Sequence, residues 1–312
     1  SFSDPWKLVN YFSGKLVNDF ASMGYSLDFS RQFTTGDVEY NKFVEWQFHK
    51  YEEKGYFKQA GYPILYCVRD KNAVGEDDIK DADTVPVEVQ KFVAFKFALQ
   101  GSDAFVVSCT LRPDTAFGIT NMFVNPCEQY AEISIESQQG KWKEKWIVSR
   151  KAAEKLSHQG NKINLLREFL GEELVCKKCV SPVGKVVPIL PSSFVKADHA
   201  SGFVHGVPSD APFDWVAIEE MKKDEKLLHN YPELRGQLDA ITPVSLIELE
   251  GYGEFPAKDL VEKMKIANTR EKDKLEKATA QLYKEEFYKG RLKPVNGKFA
   301  GMSVVEAKDK IA

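Results

Sequence analysis

The sequence predicts a mixed α+β protein, with helices at the N-terminus, strands through the middle and helices again toward the C-terminus. Three observations carry this. After Asp4-Pro5, apolar residues recur at helical spacing (Leu8, Tyr11, Phe12, Leu16, Phe20). Residues 91–110 hold two β-branched, aromatic-rich runs that meet at Gly101-Ser102-Asp103, a hairpin pattern. Residues 268–290 are rich in Lys and Glu, with Leu275, Ala278, Leu282 and Tyr283 at helical spacing before Gly290.

The 312 residues are enough for one large domain or two modest ones. Hydrophobic residues make up 43% and charged residues 29%, the proportions of an ordinary water-soluble globular chain. No apolar run approaches a membrane span and no charged-plus-apolar leader is present, so the expected location is cytoplasmic, with no membrane partner. A net charge of −3 argues against a surface that grips nucleic-acid phosphates all over; any such contact is local. Five cysteines, an odd number without framework spacing, fit a reducing compartment. Cys176 and Cys179 form a lone C-x-x-C without the two further ligands that a closed zinc site needs. The chain starts at Ser1 directly before a helix, as expected of a piece of a longer polypeptide.

In order, Asp4 caps a first helix with Pro5 in its first turn, and Gly24 stops it. A second helix runs over 37–54, with Phe43, Val44, Phe48 and Tyr51 inward and Gly55 as terminator. Residues 62–68 are β-like, and 70–83 form an acidic linker or exposed loop. These elements make residues 1–85 a stem and 86–312 the body, with about 222–300 a charged helical insertion. Trp142, Trp146 and Val148 alternate with charges, which reads as one buried strand face rather than an RNA-stacking surface. Ser149 caps a short helix through Ala152, Ala153 and Leu156. A strand covers 186–195, and a helix after Asp214 turns Trp215, Ile218 and Met221 inward. Asn268 to Glu271 reads as the capping box of the charged helix, which otherwise presents a solvated face.

Two stretches carry chemistry. The run Phe105-Val106-Val107 ends at Pro113 in a polar turn bearing Thr110, Arg112, Asp114 and Thr115. Taken alone, this turn could be a short helix closed by Gly118, with Arg112 paired to a nearby carboxylate. Residues 201–214 repeat the theme of strand, proline, polar turn and helix start, so that two polar rims can face each other across a cleft.

Together the stretches resemble the editing domain of leucyl-tRNA synthetases of the archaeal and eukaryotic cytosolic type. Thr110-Leu111-Arg112-Pro113-Asp114-Thr115, with Gly118 and Thr120-Asn121, resembles that family's threonine-rich motif. Val207-Pro208-Ser209-Asp210-Ala211-Pro212-Phe213-Asp214 resembles the segment ending in the aspartate that holds the substrate's amino group. Residues 23–35 and 43–48 resemble the stem joining the insertion to the synthetic core.

The resemblance implies a mainly antiparallel, barrel-like β core and post-transfer editing, the hydrolysis of mischarged tRNA for leucine. The need arises because one methylene discriminates by only about 1–3 kcal/mol. Asp214 is implied as the ammonium handle. Thr110 and Arg112 are implied to hold the water, terminal ribose or phosphate and to stabilise the developing oxyanion. Thr115 is implied to block leucine, and Leu111, His205, Val207, Ser209 and Asp210 are implied to complete the substrate site. The implied partners are the tRNA 3′ end, a mischarged amino acid such as norvaline or isoleucine, and the synthetic core. No Ser/His/Asp constellation is visible, and no metal or cofactor is implied for the hydrolysis.

His205 departs from the methionine or threonine more usual in the family, and reads either as a packed residue or as a general base. Ser201 for threonine is a milder change. The His-x-Gly-His and Lys-Met-Ser-Lys-Ser elements that bind ATP in the synthetic domain are missing, so leucine activation, with its ATP and Mg, is not expected of this chain. Alternative readings are the isoleucyl or valyl editing domain, or a tRNA- or partner-binding module without turnover.

Overall fold

The computed structural model describes residues 3–60, 64–67, 69–79 and 91–312, in two compact units, Ser1–Val89 and Gln90–Ala312. The stem–body boundary expected near residue 85 lies outside the described residues.

The first unit holds α1 (Pro5–Ser22), α2 (Val38–Glu53), β1 (Tyr66–Cys67) and β2 (Asn72–Ala73). Asp4 caps α1 by accepting from Trp6 N–H at 3.0 Å, and Gly24 and Gly55 end the helices in the left-handed region. The apolar stripe of α2 is not inward as expected. Neither helix has a buried residue: Leu8 and Phe20 on α1 and Phe43 and Phe48 on α2 are exposed. Helical spacing defines a face; a second surface is needed to bury it. Of the strand expected at 62–68, Tyr66–Cys67 pairs with β2, while residues 62, 63 and 68, and 80–83 of the acidic stretch, lie outside the described residues.

The second unit is built on one sheet. β3 (Val93–Leu99) and β4 (Phe105–Thr110) form the expected hairpin, with Gly101 at φ 79° in its turn. They are joined by β5 (Asn121–Val124), β6 (Gln129–Glu136), β7 (Lys143–Ser149), β8 (Lys162–Leu170), β9 (Lys178–Val180), β10 (Val186–Pro191) and β11 (Val204–Gly206). The order is β11-β5-β10-β9-β3-β4-β7-β6-β8, antiparallel except at β5–β10 and β4–β7. The sheet is open, with β11 and β8 as its ends, and not a closed barrel. It does curl: β4 and β11 are well separated in the order, yet His205 N–H on β11 donates to Ser108 Oγ on β4 at 3.2 Å. That curl brings the two polar rims together.

Helices α3 (Arg150–Ser157), α4 (Pro212–Met221), α5 (Glu225–Asn230), α6 (Glu233–Asp239), α7 (Pro256–Lys263), α8 (Lys272–Lys289) and α9 (Val304–Ile311) surround the sheet, with a ribbon of β12 (Ile247–Glu248) and β13 (Arg291–Leu292). Ser149 caps α3 as expected, accepting from Ala152 N–H at 3.0 Å. Trp142 departs from expectation. It precedes β7, is exposed and stacks on Trp146 at 5.6 Å, whereas Val148 is buried. Phe97, Val106, Ile119, Met122, Tyr130 and Ile189 fill the main core.

The charged helix α8 is not a solvated element. It buries Leu275, Ala278, Leu282 and Glu286, and the first three share a second core with Val216 of α4 and Leu260 of α7. Its capping box is also displaced: Glu271 Oε1 accepts from Ala267 N–H at 2.8 Å, ahead of the helix. No helix among the described residues is long and apolar enough to cross a membrane. Among them, no cluster of three or more His, Cys, Asp or Glu is arranged to hold a metal ion. Cys176 and Cys179 flank the entry to β9, with Cys179 buried.

Gly118 ends the 3-10 turn Pro113–Gly118 where a Cβ would lie 2.3 Å from Leu246 Cδ1 and 2.9 Å from Val207 Cγ1. The motif glycine is therefore a close-packing residue between the two rims. Gly118→Ala is expected to destabilise the chain by about 1–3 kcal/mol, seen as a lower urea midpoint at unchanged slope. An unshifted midpoint would mean that Leu246 yields freely.

Candidate active site

A cleft of about 660 Å³ opens between the end of β4, the Pro113–Gly118 turn, the β11–α4 junction and α8. Eight residues expected from the sequence line it: Thr110, Leu111, Arg112, Thr115, His205, Val207, Asp210 and Asp214. Ser209 does not. It is fully buried, and its hydroxyl donates to Asp210, so its place is behind the wall.

The turn is held by its own side chains. Thr110 Oγ1 accepts from Arg112 N–H at 2.9 Å, and Thr115 Oγ1 donates to Arg112 O at 2.9 Å. Thr115's hydroxyl is thus used within the turn. Thr110's own O–H has no acceptor among the described residues, which leaves a donor facing the cleft.

Arg112 is differently employed from the free anchor expected of it. Its Nε and Nη2 donate to Asp114 at 3.0 and 2.7 Å, and its Nη1 donates to Glu286 of α8 at 2.9 Å. The guanidinium lies 4.9 Å from the Tyr283 ring centre. A buried cation must be paired, and these carboxylates hold its pKa above the ordinary arginine value despite burial. This is the paired-arginine alternative, reached through a partner 174 residues away.

Asp210 and Glu286 each keep one buried oxygen, Oδ1 and Oε1, that no N–H or O–H reaches. The two carboxyls face one another and become hydrogen-bonded once a proton lies between them. Burial and the Asp210 charge push Glu286 well above the usual range. Burial raises Asp210 to about 6, opposed by the Ser209 hydroxyl and Arg112. Both carboxyls are pushed upward by burial and by each other, which favours a proton between them.

Asp214 stands apart from that network. It lies in the first turn of α4, inside the helix rather than capping it, since Pro212 starts α4 ahead of it. Its Oδ2 accepts from Val207 N–H at 2.8 Å, and no donor among the described residues meets Oδ1. Burial without a cation raises its pKa to about 7, only partly offset by Val207 N–H. His205 is placed as a packed, hydrogen-bonded residue. Its Nδ1 lies 2.9 Å from Ser108 Oγ, its ring is 5.4 Å from Phe95, and burial lowers its pKa to about 4.

The cleft also takes residues that sequence reading missed. Phe92 and His199 meet edge to face at 5.9 Å at the cleft, and Lys196, Lys272 and Glu276 are exposed lining residues. Their stretches carry no motif. Glu286 did leave a signal: it continues the Leu275, Ala278, Leu282 stripe one helical turn on, a glutamate in an apolar row.

Comparison with known proteins gives a consistent picture. The class I tRNA synthetase family (I, L, M and V) matches residues 2–233. A leucine–tRNA ligase of Methanocaldococcus jannaschii is 41% identical over 315 residues, covering 98% of this chain and 32% of that protein. One from Pyrococcus abyssi is 39% identical over 319 residues, covering 100% and 32%. The chain thus spans about a third of the length of the curated relatives it matches. Among solved structures, GlLeuRS-CP1 superposes with a TM-score of 0.61 at 26% identity, covering 71% of this chain and 93% of that one. The editing domain of the P. knowlesi cytosolic leucyl-tRNA synthetase does so with 0.63 at 20% identity, covering 71% and 92%.

The proton between Asp210 and Glu286 makes Glu286→Gln a close mimic, with an amide N–H for Asp210 and a carbonyl for Arg112. Its melting temperature is expected to stay near wild type, whereas Glu286→Ala, which leaves Arg112 Nη1 without its acceptor while Asp114 still pairs the guanidinium, should lose about 1–3 kcal/mol, seen as a lower melting temperature. Equal losses in both would exclude a shared proton. For Asp214 the raised folded pKa means that stability falls as pH rises from 3.8 to about 7, where the unfolded carboxyl ionises first. The stability gained by Asp214→Asn should therefore grow across that window and level off above it in pH-resolved thermal melts. A gain independent of pH would contradict the buried-carboxyl assignment.

Proposed function

The chain belongs to the leucyl-tRNA synthetase family, and from that premise we propose that its cleft hydrolyses the ester of tRNA carrying a wrong amino acid in place of leucine. The fold of the second unit is that of the family's editing domain. The observation that carries the reading is Asp214: a buried carboxyl at a cleft, held by one backbone N–H, with its other oxygen unmatched by any cation. Such a group is built to meet an ammonium, because the incoming cation supplies the charge that burial has denied it.

In the reaction a water oxygen bonds to the ester carbonyl carbon, and the bond from that carbon to the ribose oxygen breaks. The ribose oxygen leaves with the water's proton, giving free amino acid and tRNA. Asp214 fixes the ammonium, and Thr110 directs its free O–H to the water or the developing oxyanion. Arg112 acts on this centre by positioning rather than contact, since its carboxylate pairs rigidify the turn that presents Thr110 and Thr115. Thr115, with its hydroxyl tied back to Arg112 O, stands as the steric block against leucine. Leu111 and Val207 supply apolar wall, and Asp210 supports it through its link to Glu286. Lys196 and Lys272 give the rim the local positive charge that a terminal phosphate requires, and Phe92 with His199 offers rings for the terminal base.

The test is deacylation of norvalyl-, isoleucyl- and leucyl-tRNA for leucine. Hydrolysis of the first two with leucine spared is expected, with a loss of about a hundredfold in Asp214→Ala and onset of leucyl hydrolysis in Thr115→Ala. With Asp214→Ala as blank, kcat/KM should rise with pH and flatten above about 7, because the handle works ionised. Over about pH 5.5–8 His205→Met should leave that profile's shape unchanged. A flat profile would remove Asp214 from this role; absence of all hydrolysis would leave a binding surface.

A further inference from the structure

A second cavity, of about 670 Å³, lies between α6 and the β9–β10 hairpin and shares no lining residue with the cleft. Lys177 and Lys178 at the entry to β9 and Lys185 just before β10 line it, with Glu233 as the acidic lining residue. None of the three lysines is ion-paired among the described residues. In a chain of net charge −3 this is a local excess of positive charge. Partial burial with no anion to offset it lowers the pKa of Lys185.

The C-x-x-C segment builds this cavity through its backbone. Cys176 N–H donates to Ile189 O at 2.9 Å and Ile189 N–H donates to Lys177 O at 2.8 Å, so two residues oppose one, a bulge whose first position ordinarily takes glycine. Cys176 occupies it at φ 65°, a strained conformation for a residue with a Cβ. Its carbonyl is left outside the ladder and accepts from Gln237 Nε2 of α6 at 2.8 Å. Reversing that amide would set two carbonyl oxygens against each other, so Oε1 is fixed as the other end of the group. Gln237 Oε1 is buried and has no donor among the described residues.

An unmatched acceptor beside three unpaired cations calls for a ligand that carries an N–H and an anion together. A lone carboxylate has two oxygens for three lysines, whereas a phosphate has an oxygen for each. Val186, Pro188 and Ile241 supply an apolar wall, and beside Gly236 there is open space where a side chain would otherwise stand. We propose that this cavity binds a nucleotide, with its phosphate on Lys177, Lys178 and Lys185 and an N–H of its base on Gln237. The site is independent of the editing reading, because no residue of the cleft takes part in it.

The test is calorimetric titration at low salt with AMP, inorganic phosphate and a single-stranded oligoadenylate, for this chain, Lys178→Ala/Lys185→Ala and Gln237→Leu. AMP should bind on the order of tenfold tighter than phosphate, and both should weaken by on the order of tenfold in the lysine variant. Gln237→Leu should bring AMP down toward phosphate and leave phosphate unchanged. Oligoadenylate binding no tighter than AMP would assign the free nucleotide as ligand; tighter binding that is lost in the lysine variant would assign a nucleotide within an RNA strand. AMP binding that survives unchanged in the lysine variant, or AMP no tighter than phosphate, overturns the proposal. The lysine variant and the AMP-to-phosphate ratio decide if Gln237→Leu fails to fold.

Discussion

A guanidinium taken out of water has to be matched, and the second unit is arranged around matching Arg112. Its partners come from two places far apart in sequence, Asp114 in its own turn and Glu286 on α8, and Glu286 in turn meets Asp210 from the β11–α4 junction. Three separately folded segments are therefore registered by one side chain. Buried ion pairs contribute little net stability when compared with apolar replacements, but they penalise misplacement heavily. That combination suits a site whose walls must be held while its floor stays open.

The polar groups of the cleft fall into two sets. Around Arg112 nearly every charge is answered by another side chain. Elsewhere on the cleft wall, Asp214 and Thr110 each keep one valence without a protein partner among the described residues. The first set builds and the second set waits for something to bind. Unanswered groups cost folding energy, and their convergence on one cavity is what makes it the candidate site.

Much of this was legible in the residues. The turn chemistry of Thr110 to Gly118 and the 201–214 segment placed eight of nine expected residues at one cleft, because prolines and strand ends are local signals. What failed was long-range. The pairing of Arg112 with a nearby carboxylate was readable, but its second partner Glu286 was not, and α8 looked solvated since its Lys and Glu outnumber a narrow apolar stripe. Ser209 stood in the motif and yet faces away, because a turn's backbone decides which side chains point outward. The apolar face of α2 was read correctly as helical and incorrectly as inward, for burial depends on a neighbour and periodicity does not report one.

The unmatched carboxyl of Asp214 has a consequence for traffic through the site. With its pKa raised to about 7 by burial, the carboxyl is favoured in its ionised form only when a cation meets it. On the proposed editing reading, an ester whose amine is already acylated, such as a growing peptide still joined to its tRNA, brings no cation to it. The same burial that costs the fold stability would then act as an entry check, favouring amino acids not yet built into a chain.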